Sequence, residues 1–424
     1  NFLYPAALLG AGYRNYKNKR IKNNYFSFDS EKELKTIVNN AIRYVPFYKN
    51  NYTAPVVSME DFSHRIGFID KATVMDHWGD FLLPNFPENK VVKTTTGGTS
   101  GKPLKLIIPK NRYIFELATM HSLWQNIGWH GQTRAVMRNH HLSKKQIFKI
   151  NPVQKEIIFD GFRTTPEYYY RIYTVIKRYK IKYIHAYPSS ACQFAHFLYQ
   201  EKLNLDIAGF LCGSEGFLPE QQALIQQMLG LHVYHWYGHS EKLVLGGYCK
   251  NSDLIHIEPT YGYCELIDEQ GKTVNTIGQT GEIVGTTLHN PYMPLIRYRT
   301  GDFAEYAGDY CPHCKRHLLL LKNICGHREK NKIYKKDGSY ITTTALNLHS
   351  DLYTKINGMQ YFQREKGKLL VKIIKGAGFT DDIANKYLMH FRKSFGDENK
   401  VEIQYVSQLD KLPNGKFQIL ISEL

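Results

Sequence analysis

The sequence predicts an α/β fold, with a large layered N-terminal domain that includes a β subdomain and a small α+β domain at the C-terminus. Three observations predict it. Helical stretches alternate with short apolar runs through the middle of the chain, β-type segments between glycine turns take over from about 243 to 310, and the end of the chain returns to short strands with one helical pattern. With 424 residues, 43% hydrophobic and 22% charged, the chain can bury a substantial core. Length alone suggests two or three domains of about 100–200 residues each.

The elements follow in order. Residues 1–90 read as mixed and mostly helical, with Glu31 to Tyr44 the clearest amphipathic stretch. Val91-Val92-Lys93 predicts a strand, a Thr/Gly/Ser loop runs to Pro103, and Leu104 to Ile108 predicts the returning strand. Tyr183-Ile184-His185-Ala186 and Ala208 to Cys212 read as short buried strands between helices, and Asp381 to Ser394 as a late helix. These shifts place a domain at 1–325, with the β subdomain at about 243–325, and a second domain at 326–424. No repeat or low-complexity tract is present, which excludes solenoids.

Charge and cysteine usage narrow the class. The 55 Lys+Arg against 38 Asp+Glu leave a net +17, which favours anionic partners such as nucleotides, acidic sugars or a membrane surface. No apolar run reaches the ~18–20 residues of a spanning helix, and Tyr4 to Gly10 is too short and lacks a basic start, so the expected setting is cytoplasmic. Seven thinly spread cysteines argue against a secreted disulfide framework and for reduced thiols with one metal site.

The most informative segment is Thr94-Thr95-Thr96-Gly97-Gly98-Thr99-Ser100-Gly101-Lys102-Pro103. Its glycines allow close backbone approach to a phosphate, its hydroxyls donate, and its lysine offsets negative charge. It is not a Walker A loop: the Gly-to-Gly spacing is one short and Pro103 stands where that motif needs Ser or Thr. By itself such a loop is equally a plain hairpin turn. Four further segments follow in order: Gly213-Ser214-Glu215-Gly216, Trp236-Tyr237-Gly238-His239-Ser240-Glu241, Tyr298-Arg299-Thr300-Gly301-Asp302 and Leu412-Pro413-Asn414-Gly415-Lys416. Each alone is a surface turn, but the ordered set is hard to obtain by chance.

Together these segments resemble the adenylate-forming superfamily of acyl-CoA ligases, luciferases and adenylation domains. The nearer resemblance is to its phenylacetate-CoA ligase branch, and within that to the CapK-like proteins of capsule and O-antigen clusters. The resemblance runs from about 94 to 416. It implies ATP and Mg²⁺ as cofactors and a mobile C-terminal domain. Thr94, Thr95, Thr96, Gly97, Gly98, Thr99, Ser100, Gly101 and Lys102 would hold the β and γ phosphates. Ser214 and Glu215 would lie against the adenine, with Tyr237 and Gly238 at its face. Glu241 would ligate Mg²⁺, and Asp302 would accept from the ribose hydroxyls. Lys416 would reach the substrate carboxylate and the α-phosphate. His235, Trp236 and His239 are candidates for the acyl pocket. Bringing a carboxylate to a phosphate joins two anions, so such a site needs a metal and a lysine aimed at the developing charge.

The hinge departs from the family pattern of Gly-Arg followed by Asp. Counting back from Ile333 in Gly326-His327-Arg328-Glu329-Lys330-Asn331-Lys332-Ile333 makes Arg328 the family arginine and Asn331 the hinge residue, with His327 inserted. Counting forward from Gly326 makes His327 the replacement instead.

Cys311-Pro312-His313-Cys314 has zinc-knuckle spacing, and Cys249 with His256 supplies another Cys/His pair, a pattern that some phenylacetate-branch proteins resemble. A structural zinc held by Cys249, His256, Cys311 and Cys314 is expected, with His313 or Cys325 as substitutes, against the alternative of four unrelated residues. His140-His141 and His232 read as ordinary core or surface histidines, Cys192 and Cys212 as small core residues.

The expected activity is AMP-forming ligation of a carboxylate to an amine, amidating a uronic acid of a surface polysaccharide, with peripheral association to a glycan assembly. The alternative of the same chemistry is an aryl- or acyl-CoA ligase with coenzyme A as acceptor. A basic zinc-containing nucleic-acid-binding protein would account for the charge and the cysteines but leaves the Thr/Gly loop and Pro413 to Lys416 without a role, so no nucleic-acid partner is expected.

Overall fold

The computed structural model describes residues 30–96, 104–138, 140–214, 219–326, 332–343, 346, 352, 355–376, 378–410 and 419–424. In their described parts, Asn1–Thr94, Leu104–His130 and Trp236–Gly326 form one compact unit, and Thr95–Pro103, Gly131–His235 and His327–Leu424 a second. The expected α/β class holds.

The first unit begins with helices α1 (Ser30–Tyr44), α2 (Pro46–Asn51), α3 (Met59–Arg65) and α4 (Lys71–Asp76). Leu34, Ile37, Val38, Ala41 and Ile42 repeat at helical spacing and are the buried face of α1. Its first turn carries Glu31 and Glu33 and its last turn Arg43, matching the helix dipole. Ser58 and Asp70 cap α3 and α4 by accepting from the backbone N–H of Asp61 and Thr73. Strands β1 (Val91–Thr95) and β2 (Lys105–Pro109) pair with each other and flank the Thr/Gly loop, and α5 (Arg112–Gln125) follows.

In the second unit, β3 (Arg134–Met137), β4 (Phe148–Asn151), β5 (Glu156–Phe159), β6 (Tyr183–Ala186), β7 (Gly209–Cys212) and the first half of β8 (His232–Gly238) lie in the order β8-β7-β6-β3-β5-β4. All pairs are parallel except β4 with β5. Every residue of β3, β5 and β7 is buried, as expected of strands covered on both faces. Helices α6 (Pro166–Arg178), α7 (Pro188–Gln200) and α8 (Pro219–Leu229) make the connections. Pro166 and Pro188 open the first two, where a missing N–H costs nothing. Strand order reverses at β3: β5 lies on one side of it and β6 on the other. The carboxyl ends of β3 and β6 therefore flank the crevice in which open α/β sheets bind ligands.

The second half of β8 pairs antiparallel with β9 (Leu245–Cys249) in the first unit. There β10 (Ser252–Ile257), β11 (Gly262–Ile267), β12 (Thr280–Thr287), β13 (Tyr298–Cys311) and β14 (Arg316–Cys325) complete the order β9-β10-β14-β13-β12-β11. One cluster joins Leu34, Ile37, Phe81, Ile107, Ile283 and Leu321. Ile69 bridges to Tyr298, with the Arg299 N–H donating to its carbonyl at 2.8 Å. That bridge brings Asp70 and the start of α4 beside β13.

The C-terminal part of the second unit has a hairpin, β15 (Lys332–Tyr334) with β16 (Tyr340–Thr342), and a sheet in the order β19-β18-β17-β20. Its strands are β17 (Ile356–Gln363), β18 (Lys368–Lys375), β19 (Lys400–Tyr405) and β20 (Leu420–Ser422), with α9 (Asp381–Phe395) between β18 and β19. Ile383, Tyr387, Phe391 and Phe395 recur every fourth residue of α9 and are buried. Within this unit Lys335 Nζ donates to the Phe162 carbonyl at 3.2 Å and Gln193 Nε2 to the Tyr340 carbonyl at 2.8 Å.

Candidate active site

In the first unit the site grows from the end of β8 and the start of β13. Gly238 pairs with Leu245, and the turn after it closes through the Lys242 N–H to the His239 carbonyl at 3.1 Å, with Lys242 at φ 62°. Glu241 projects from this turn. His239 Nδ1 lies 3.0 Å from one of its oxygens, and the Tyr298 hydroxyl donates to the other at 3.4 Å. Both side chains are sheltered, and among the described residues His239 Nε2 has no hydrogen-bond partner. Burial, reinforced by Glu241, holds the Tyr298 phenol far above its ordinary range, so it remains a donor. Burial also pushes Lys71 down to about 8, with Glu241 opposing the shift.

Asp302 comes from a kink in β13. Gly301 adopts φ 73° and donates to Glu282 at 3.0 Å, and the Asp302 N–H donates to Thr300 Oγ1 at 3.1 Å, just where pairing between β12 and β13 shifts register. The Tyr237 hydroxyl donates to Asp302 at 2.9 Å. Two carboxylates, Glu241 and Asp302, are thus each held by a tyrosine hydroxyl. A carboxylate with unused lone pairs suits Mg²⁺, which takes one or two protein carboxylates and fills its shell with water and substrate phosphates. Glu241 fits that role. Trp236, next to this turn, packs edge-on at 5.9 Å against Trp124, which meets Trp129 at 5.3 Å.

In the second unit the carboxyl ends of three adjacent parallel strands carry polar groups. Ser214, at φ 71° beyond β7, accepts from Arg138 Nη2 at 2.8 Å. Arg138 follows β3, its Nη1 lies 2.8 Å from His185 Nε2, and its guanidinium sits 4.6 Å over the Tyr187 ring. His235 pairs with Cys212 where β8 runs beside β7.

Among the expected residues, Thr94, Thr95 and Thr96 lie on and just after β1, with Thr96 buried. Tyr237 and Asp302 come together, as do His239 and Glu241. Gly97, Gly98, Thr99, Ser100, Gly101, Lys102, Glu215, Arg328, Asn331 and Lys416 lie outside the described residues. Sequence reasoning missed Tyr298, although it opens the run that ends in Asp302, and also Lys71 and Arg138. An arginine directly after the apolar run Ala135-Val136-Met137 was the available signal for the last.

The cysteine cluster is built where strand ends meet. Cys249 ends β9, His256 lies on β10, Cys311 ends β13, and Cys314 occupies the turn into β14. One ligand atom from each of the four lies within 4.8 Å of the others, and Cys249 Sγ is 4.0 Å from Cys311 Sγ. His256 Nδ1 hydrogen-bonds the Leu254 carbonyl at 2.8 Å, which fixes the tautomer and leaves Nε2 as the lone-pair nitrogen. Arg316 Nε donates to Cys314 Sγ at 3.3 Å. Three thiols and an imidazole suit tetrahedral zinc in a closed, structural arrangement.

Residues 333–423 match the CapK C-terminal domain family. Phenylacetate-coenzyme A ligase of Thermus thermophilus is 24% identical over 349 residues, covering 74% of this chain and 72% of that protein. Protein CapK of Staphylococcus aureus is 18% identical over 355 residues, 80% of this chain and 75% of that protein. The match to phenylacetate-coenzyme A ligase of Pseudomonas putida, 25% identical over 216 residues, spans 50% of this chain and 42% of that protein. The fold is shared with 2-hydroxyisobutyryl-CoA ligase bound to 2-HIB-AMP and CoA, at TM-score 0.59 and 19% identity, over 92% of this chain and 88% of that one. Ordered motifs, fold and relatives agree: residues 333–423 match the CapK C-terminal domain family, and the chain as a whole is similar to phenylacetate-CoA ligases and to CapK.

Proposed function

We propose that this protein activates a carboxylate as its acyl-adenylate and transfers the acyl group to an amine, amidating a uronic acid of a surface polysaccharide. The observation that carries the adenylation step is the pair of sheltered carboxylates, Glu241 beside His239 and Tyr298 and Asp302 on the Tyr237 hydroxyl, in two motifs read as nucleotide-binding. A carboxylate oxygen attacks the α-phosphorus, the bond to the β-phosphate breaks, and pyrophosphate leaves. An amine nitrogen then attacks the acyl carbon, AMP departs with the electron pair of the broken C–O bond, and the amine proton passes to base or solvent.

In this reading Thr94 to Lys102 cradle the β and γ phosphates, Ser214, Glu215, Tyr237 and Gly238 line the adenine, and Asp302 takes the ribose. Glu241 holds Mg²⁺, which supplies charge neutralisation at the phosphates. His235, Trp236 and His239 line the acyl pocket. Lys416, with Arg328, enters during adenylation on a C-terminal domain that pivots near Asn331, and a zinc on Cys249, His256, Cys311 and Cys314 staples the β subdomain. Among the described residues no helix is long and apolar enough to cross a membrane; the proposed setting is cytoplasmic, peripheral to a glycan assembly.

The names of the phenylacetate-coenzyme A ligases of Thermus and Pseudomonas favour a second reading, with coenzyme A as acceptor. The deciding experiment supplies ATP and Mg²⁺ with UDP-linked uronic acids and amino acids, and separately with aryl acids and coenzyme A, and weighs the products by mass spectrometry. A thioester with no amide in any combination overturns the amine acceptor. Unchanged ATP–pyrophosphate exchange in Lys416→Ala refutes the role of that lysine.

A further inference from the structure

We infer that Arg112 and Glu116, on one face of α5, are positioning residues that set how strongly Glu241 holds Mg²⁺, acting through the backbone of Lys242; this rests on the reading of Glu241 as the metal ligand. Lys242 directly follows Glu241, and its φ of 62° lies in the left-handed region, which residues other than glycine enter at a cost. Such a conformation persists where its surroundings over-determine it.

Helix α5 supplies those surroundings. Arg112 opens the helix and Glu116 stands four residues on, which puts both on the same face. Arg112 Nη2 donates to the Lys242 carbonyl at 2.8 Å and to the Tyr261 carbonyl at 3.0 Å, and the guanidinium lies 3.8 Å from the Tyr261 ring. Lys242 Nζ in turn reaches the two oxygens of Glu116 at 2.7 and 2.6 Å. With its N–H closed onto the His239 carbonyl at 3.1 Å, Lys242 is held at its N–H, its carbonyl and its ammonium. The next residue has no room to shift either: a side chain on Gly262 would place Cβ 1.8 Å from the Leu243 carbonyl oxygen.

His239 and Tyr298 orient the Glu241 carboxylate, but the backbone that carries it is aimed by α5. Metal affinity depends on such support behind a ligand as well as on the ligand itself. Arg112 is buried and both contacts of its Nη2 are backbone carbonyls, so its effect on the metal passes through the turn.

Calorimetry with α,β-methylene-ATP tests this, run with Mg²⁺ and again with EDTA, and reads the ratio of the two affinities. Glu241→Gln should lower that ratio about 10- to 100-fold and Arg112→Met about tenfold, while the affinity for metal-free nucleotide stays within about twofold of wild type in both. Arg112→Lys, with one ammonium for two carbonyls, should restore part of the ratio, and Glu116→Gln should lower it about 2- to 5-fold. Adding Arg112→Met to Glu241→Gln should lower it no further, because Arg112 acts through that carboxylate. An unchanged ratio in Arg112→Met, or in Glu116→Gln if Arg112→Met does not fold, overturns the inference, as does an equal loss of metal-free binding or a further fall in the double variant. Wild type that binds no nucleotide, or a ratio that Glu241→Gln leaves at the wild-type value, sinks the reading of Glu241 and the inference with it, so the two failures are told apart.

Discussion

Removing the guanidinium of Arg297 should destabilise the first unit strongly and in a pH-dependent way. Arg297 is buried, and Nε and Nη2 reach the two oxygens of Glu265 at 3.2 and 3.0 Å while Nη1 donates to the Ser63 and Ile66 carbonyls at 2.8 and 2.7 Å. The guanidinium also lies 4.0 Å from the Phe68 ring. It thereby holds the segment that leads to Ile69 and Asp70 against β13. Arg297→Met leaves the buried Glu265 carboxylate unpaired, which costs about 3–5 kcal/mol. For a unit of this size that is a drop of about 6–20 °C in melting temperature.

The sign with pH follows from Glu265, whose carboxyl burial already holds above the ordinary range, with Arg297 opposing. Without Arg297 the folded-state value rises further. A folded carboxyl with a raised value binds more protons than the unfolded chain between the two values, so its favourable contribution is present at low pH and lost as pH rises through the folded value. The gap between Arg297→Met and wild type should therefore narrow from pH 7 to pH 5. The double variant Arg297→Met/Glu265→Leu should regain most of the loss, since a buried ion pair exchanged for apolar groups of similar size is close to neutral. Scanning calorimetry at the two pH values measures all of this. A single variant melting within about 2 °C of wild type, a gap that does not change with pH, or a double variant no better than the single would refute the reasoning.

Metal analysis of purified protein should find about one zinc per chain, and Cys311→Ser should lose it and lower the melting temperature before exchange activity falls; metal-free protein of unchanged stability would exclude the staple. Glu241→Gln should raise the Mg²⁺ concentration for half-maximal exchange about 10- to 100-fold, measured by titration at fixed ATP, and an unaltered titration would remove Glu241 from the metal. Asn331→Pro should impair one half-reaction more than the other by fixing φ; equal loss of adenylation and transfer, or loss of neither, argues against a hinge there.

Helix α1 and helix α9 were readable from the sequence within a residue or two, because Leu34 to Ile42 and Ile383 to Phe395 carry the helical period in their own side chains. Strands β6 and β7 were readable as apolar runs, and the Cys249, His256, Cys311 and Cys314 set from spacing and chemistry, which the strand ends then bring within 4.8 Å. The two-unit division was not. Residues 104–130 and 236–326 group together across more than a hundred intervening residues, and 131–235 group with 327–424, because grouping follows sheet order.

By itself the sequence determined the ordered motifs, the α/β class and the residue types able to hold nucleotide and metal, since these depend on neighbours a few positions apart. Only the tertiary structure decided that Tyr237 meets Asp302, that Tyr298 meets Glu241, and that Arg138 meets Ser214 at the reversal of the parallel sheet. Each of those pairs joins residues far apart in the chain. Their meeting is set by which strands lie side by side, in what register and with which bulge, and these are properties of the assembled sheet that no local pattern of side chains contains.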